Sequence, residues 1–205
     1  MTRLAARHAR ACRRHATHGS AARRVWLLVA ALLVAGSRTS AAQDVEVPVD
    51  VQVPLFHKVM TFDRRHDAGK PLVFAIVFQS GNRASASAKE RVLRALEALA
   101  PAAQPIRAVA VDLDREPLAD ALARHRPAVL YVTPLRAFAI EDVATASRAA
   151  RVTSFTGVPR FVLLGLAVGV RLQGDRPRLM INLQAARAEG ADFSAELLKL
   201  AHVIP

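Results

Sequence analysis

Leu72-Val73-Phe74-Ala75-Ile76-Val77-Phe78 is a run of seven apolar residues, rich in β-branched and aromatic side chains and followed by a polar loop from Ser80 to Ala86. A strand with one wet face alternates apolar and polar residues. A run without that break predicts a strand covered on both faces, the environment of a parallel sheet between helix layers. Downstream, Ser87-x-x-Glu90 has the spacing of a capping box and predicts a helix start. Val92, Leu93, Leu96 and Leu99 would form that helix's apolar stripe, and Pro101 would end it.

The same alternation continues. Ile106 to Val111 reads as a strand, Pro117 to Arg124 as a helix and Ala128 to Val132 as a second buried strand. Phe138 to Ala149 then reads as a helix with Ile140, Val143 and Ala144 inward, and Val152 to Phe155 as a short strand. Upstream, the 55/56/59/60 spacing of apolar residues predicts a helix over Val51 to Phe62, with Pro54 in its first turn, after an extended lead-in from Gln43 to Asp50. Strands alternating with helices imply right-handed βαβ crossovers and a layered α/β domain with a mostly parallel sheet. After Gly157-Val158-Pro159 the rhythm changes. Leu166 to Gln173 and Arg178 to Leu183 flank Gly174-Asp175-Arg176-Pro177, a C-terminal β-hairpin signal. Ala185 to Glu189 reads as a short helix with Gly190 at C′. Ser194 caps a closing helix that carries Leu197, Leu198, Ala201 and Val203.

Every Asp and Glu lies downstream of Ala42, whereas residues 1–42 hold eight arginines. A basic stretch, an apolar run from Val25 to Gly36 and the small residues Ser40-Ala41-Ala42 form the three-part layout of a secretory signal peptide. The expected organisation is therefore a signal peptide over 1–42, cleaved before Gln43, and one domain over 43–205 in the periplasm. The apolar run is shorter than the roughly 20 residues a spanning helix needs. Arg23-Arg24 leaves the twin-arginine route open beside the general one. Without the leader, 21 Lys+Arg face 17 Asp+Glu, a net +4 in place of the whole chain's +12. The basic balance belongs mostly to the leader and argues against nucleic-acid binding. Cys12, the chain's one cysteine, also lies there, so residues 43–205 offer no thiol nucleophile, redox pair or thiolate ligand.

Searching 43–205 for chemistry turns up no catalytic constellation. His57, His66, His125 and His202 are too dispersed for a metal site. Asp112, Asp114 and Glu116 follow a strand, where α/β proteins place working groups, but read better as a solvated loop. Ser80 to Ser87 joins a strand to a helix start, where N–H groups and Arg83 would attract an anion, yet no Gly-x-Gly-x-x-Gly or Walker lysine accompanies it. No cofactor is indicated. Arg171 and Arg178, on opposite arms of the hairpin, form a pair able to hold a phosphate or carboxylate. Asn182, closing a strand before a helix, is placed to cap free backbone N–H groups.

Val168-Gly169-Val170-Arg171-Leu172, Gly174 and Leu179-Met180-Ile181-Asn182-Leu183-x-Ala185-Ala186 lead to Ala191-Asp192-Phe193-Ser194-x-x-Leu197-Leu198-Lys199-Leu200-Ala201. This succession resembles the closing motif of the YfiR/HmsC-like periplasmic family. Lys58-Val59-Met60-Thr61-Phe62 and the Leu72 to Phe78 strand extend the likeness. The resemblance implies an exported repressor that binds the periplasmic sensor domain of an inner-membrane diguanylate cyclase, limiting cyclic-di-GMP signalling and biofilm growth. It leaves room for an outer-membrane lipoprotein that relieves repression and for a homodimer. Two departures stand out. The disulfide-forming cysteines of some members are missing, and Phe62-Asp63-Arg64-Arg65 stands where many members carry an aromatic residue and Trp-Pro. Partner or ligand binding falls, on this reading, to Arg171, Arg178, Asn182 and Arg83. The alternative is a periplasmic receptor for a small anionic ligand or nucleotide, without catalysis.

Overall fold

The computed structural model describes residues 47–66, 70–99, 105–136 and 140–205. The leader and its cleavage position lie outside the described residues. The elements are α1 (Val49–Met60), β1 (Leu72–Phe78), α2 (Arg83–Leu99), β2 (Ile106–Asp112), α3 (Leu118–His125), β3 (Val129–Val132) and α4 (Ile140–Ala150). They continue through β4 (Thr153–Thr156), α5 (Pro159–Leu163), β5 (Val168–Gln173), β6 (Arg176–Asn182), α6 (Leu183–Ala188), α7 (Ala195–Leu200) and β7 (His202–Ile204). One seven-stranded sheet has the order β2-β1-β3-β4-β5-β6-β7. Strands β1 to β5 run parallel, β6 returns antiparallel to β5, and β7 lies parallel to β6. This is the layered α/β domain with a C-terminal hairpin that the alternating pattern predicts.

The unbroken apolar run of β1 has its physical reason in this order. β1 lies between β2 and β3, with Phe74 opposite both Ala108 and Val129. Its side chains alternate between two cores. Phe74 and Ile76 join Phe56, Val92, Leu96 and Leu197 beneath α1, α2 and α7. Ala75 and Val77 join Leu118, Leu122, Val143 and Phe161 beneath α3, α4 and α5. Phe56 is the centre of the first core, packed against Phe155 (ring centroids 4.8 Å apart) and Tyr131 (6.0 Å). Fully buried Gln52 is satisfied within it: Tyr131 donates to Gln52 Oε1 at 2.6 Å, and Gln52 Nε2 donates to the Val47 carbonyl. A Cβ on Gly157 would overlap that carboxamide, which is why the turn after β4 needs glycine there.

Several boundaries differ from the sequence expectation. Helix α1 starts at Val49, with Val47 and Val49 buried, so the last part of the expected extended lead-in is packed structure. Pro54 consequently lies inside the helix instead of in its first turn. Helix α2 starts four residues before Ser87. Asn82 caps it by accepting from Ala84 N at 3.1 Å, and Ser87 and Glu90 lie within it. The hairpin loop is two residues, Gly174-Asp175, because Gln173 already pairs with Arg176. Gly174 has φ +60, as the first central residue of a type II′ turn requires. The closing helix ends at Leu200, and Val203 belongs to β7, where it pairs with Ile181. Strand β4 is buried along its whole length instead of alternating.

Candidate functional site

Between β1 and β3 the chain reverses the direction in which it adds strands. Open α/β sheets bind ligands outside the carboxyl ends of the strands at such a crossing. Here that place is a crevice of about 480 Å³ touched by Gln79, Asn82, Arg83, Asp114 and Arg136. Two segments noted separately in the sequence, the Ser80–Ser87 loop and the Asp112–Glu116 loop, meet in it.

The loop's backbone donors are already occupied. Ser80 N donates to Asp112 Oδ1 at 3.0 Å and Gly81 N to Asp114 Oδ2 at 2.7 Å. Asp112 is pushed upward by burial, but its bonds from Ser80 and Asp114 N and the charge of Arg115 outweigh that and hold its carboxyl below the usual range. Glu116 pairs with Arg124 at 2.9 Å. The remaining polar groups form an internal chain. Gln79 N donates to Ser85 Oγ, which lies 2.6 Å from Thr133 Oγ1, and Thr133 donates to the Val77 carbonyl. Gln79 Oε1 accepts from Arg136 N, and Asn82 Nδ2 donates to the Pro134 carbonyl. The carboxylates thus tie loop to loop. The Arg83 and Arg136 guanidiniums remain without a bonded partner among the described residues. They are the groups here able to receive an anion.

The other expected site residues lie elsewhere in the sheet. Arg171 of β5 and Arg178 of β6 are directly opposite each other. Arg178 Nε donates to Gln173 Oε1 at 3.1 Å, and Arg171 Nε is buried without an acceptor among the described residues. Asn182 is spent on structure: its Oδ1 accepts from Ala185 N at 3.0 Å, capping α6, and its Nδ2 donates to the Val162 carbonyl. Arg83 and the hairpin pair therefore belong to separate surfaces, and the structure does not gather the four residues into one site.

Sequence reading missed a third polar group. Asp63, whose side chain is fully buried, accepts from the N–H groups of Arg65 and Asp192 at 3.1 Å each. Its Oδ2 accepts from Arg65 Nη2 at 3.0 Å. Burial pushes this carboxyl upward, but the Arg65 and Asp192 donors outweigh it and hold it low. Arg65 also donates to Thr153 Oγ1 and to the Glu189 carbonyl, joining the loop after α1 to β4 and the end of α6. Beside it the buried Glu189 carboxyl accepts from Ser154 N at 2.7 Å and Ser154 Oγ at 2.6 Å. Burial pushes that carboxyl up to about 8, with Ser154, Arg148 and Arg65 working against the rise. No local pattern marks a lone Glu at a helix end as buried. The available signal was Gly190, which leaves room for Arg65 and Arg151 against the backbone.

Among the described residues no helix is long and apolar enough to cross a membrane, and no metal-binding cluster of His, Cys, Asp and Glu occurs. The fold is similar to a conserved domain protein from Vibrio cholerae O1 biovar El Tor strain N16961, at 16% identity and TM-score 0.55 over 78% of this chain and 60% of that one. It is also similar to an ABC domain in complex with L-Trp from Streptococcus pneumoniae (16%, TM-score 0.55, 77% and 60%). A ligand-free, open substrate-binding protein with adhesive properties from Clostridium difficile is similar as well (12%, TM-score 0.53, 77% and 60%). The chain thus spans about 60% of the length of each of these structures, and at such identity the likeness is one of fold. No curated protein matches the chain. The YfiR/HmsC-like family profile matches residues 65–202, from the loop after α1 to the start of β7, and so takes in the hairpin and closing helices. The chain belongs to the YfiR/HmsC-like family, a family of periplasmic regulatory proteins.

Proposed function

We propose that residues 43–205, released by cleavage near Ala42/Gln43, act in the periplasm as a regulatory binding domain. In this reading the domain represses an inner-membrane diguanylate cyclase by docking on its periplasmic sensor domain. The family match over residues 65–202 is the observation that carries this reading. Repression of this kind is a population shift: the domain must bind the inactive sensor more tightly than the active one. Taking an evenly balanced sensor to about 99% inactive needs roughly a hundredfold preference. An outer-membrane lipoprotein that captures the domain would relieve repression by mass action. Redox control through thiols has no place, since Cys12 lies in the leader. Deleting the gene should raise cyclic-di-GMP and biofilm mass, and the tagged protein should retain a membrane diguanylate cyclase from envelope extract. Unchanged cyclic-di-GMP with no cyclase retained rules the reading out.

A second reading, a receptor for a small anion, is favoured by one observation: Arg83 and Arg136 face the crevice at the β1/β3 crossing with no bonded partner. A ligand at tenfold its dissociation constant should stabilise the domain by about 1.4 kcal/mol. A thermal-shift screen of nucleotides and carboxylates tests it. A response that persists in Arg83→Gln/Arg136→Gln, or no response at all, removes this reading.

A further inference from the structure

Strands β5, β6 and β7 have one face in the core and one that is nearly bare. Val168, Val170, Leu179 and Ile181 point into the core. Alternation puts Arg171, Arg176, Arg178 and His202 on the other face. There α5 covers one end, where Val162 packs on Gly169 and receives a bond from Asn182. Toward the turn the face is open: Arg176, Arg178 and His202 are exposed and Arg171 is half-buried. None of the face's strand positions holds an Asp or Glu.

Two details set this apart from an ordinary solvated surface. Like charges directly opposite on paired strands repel, and Arg171 stands directly opposite Arg178 with no carboxylate bonded to either among the described residues. Sequences that break a local rule of this kind tend to do so at functional surfaces. In addition, Arg171 Nε is buried without an acceptor. Nε and the neighbouring Nη form one edge of the guanidinium fork, which a planar carboxylate meets with two parallel bonds. Arg178 is steadied by Gln173 and the Leu200 carbonyl, so its position beside Arg171 is fixed before anything binds.

We propose that the open face of the β5–β6 hairpin docks an acidic segment of a partner protein, whose carboxylates take the Arg171 fork and neutralise Arg176 and Arg178. This rests on the docking reading above and names the face that serves it. A nucleic-acid backbone fits less well, because three arginines on a narrow ribbon make too short a basic track and no aromatic side chain on the face offers a stacking platform.

The test uses the secreted protein and fluorescein-labelled hexaglutamate, followed by anisotropy at low and physiological ionic strength. Arg171→Glu/Arg178→Glu should weaken binding by at least about tenfold. Arg91→Glu/Arg94→Glu, the same charge change on exposed positions of α2, should alter it by less than about threefold if binding is local to the hairpin. Arg171→Lys keeps the charge but loses the fork and should also weaken binding. Melting curves accompany each variant, and Arg178→Gln alone replaces the double variant if that does not fold. Equal losses in the two double variants overturn the proposal, as does absence of binding at low salt. Preferential, Arg171-dependent binding of a single-stranded oligonucleotide or of phosphatidylglycerol vesicles overturns it too. No cyclase is present in this assay, so its outcome is independent of the cyclic-di-GMP measurement.

Discussion

Asp63 shows how much one short side chain can hold together. Its carboxylate takes donors from its own loop, from Asp192 and from the Arg65 guanidinium, and Arg65 carries the connection on to Thr153. Replacing Asp63 with Ala leaves two backbone N–H groups and a half-buried guanidinium without their acceptor. We expect a loss of about 3 kcal/mol in urea unfolding, and a loss under about 1 kcal/mol would refute the assignment. Because Asp63 titrates below its ordinary value, its contribution is present above that value and disappears as pH falls through the lowered one. Glu189 has the opposite sign. Its carboxyl is raised from 4.5 to about 8, so stability from this group is complete below 4.5 and is lost as pH climbs toward 8. His66, lowered by burial despite the Asp63 charge, opposes that trend as pH falls past its ordinary 6.5. Comparing melting temperatures of wild type and Glu189→Gln across this range isolates the carboxyl. The wild type should lose relative to the variant as pH rises, and parallel curves would contradict the prediction.

Among elements, the helix caps divide into one that sequence shows and one that it hides. Asn182 precedes a helix with no competing signal, and Asn182→Ala should cost about 1 kcal/mol through α6 while leaving hexaglutamate binding unchanged. A loss of peptide binding at unchanged stability would return Asn182 to the docking face. Asn82 was hidden because Ser87-x-x-Glu90 presents a fuller capping motif four residues farther on. Strand β1 was legible because burial on both faces leaves a continuous apolar run. β7 was not, because Leu197, Leu198, Ala201 and Val203 keep helical spacing across the break at Ala201, and only pairing with β6 decides the matter. Of the candidate site residues, the Arg171/Arg178 juxtaposition could be read from hairpin register. The meeting of the Ser80 and Asp112 loops could not, since it depends on β1 and β2 ending side by side.

For the whole molecule, the two cores depend on the sheet they share. Phe56 ties α1 to β3 and β4 through Tyr131 and Phe155, so Phe56→Ala should cost about 3–5 kcal/mol with no chemical group lost from any proposed binding surface. A cost under about 1.5 kcal/mol in chemical denaturation would show that α1 packs less tightly than this. The joint between β4 and β5 is the thinnest in the sheet, with only Phe155↔Val168 and Thr156↔Gly169 in register. Ser154 reinforces it by accepting from Ala167 N while bonded to Glu189. The hairpin and its two small helices are therefore the portion best able to swing away as a unit. Amide exchange should find them opening before β1 does, with a frequency set by the ionisation of one buried carboxyl.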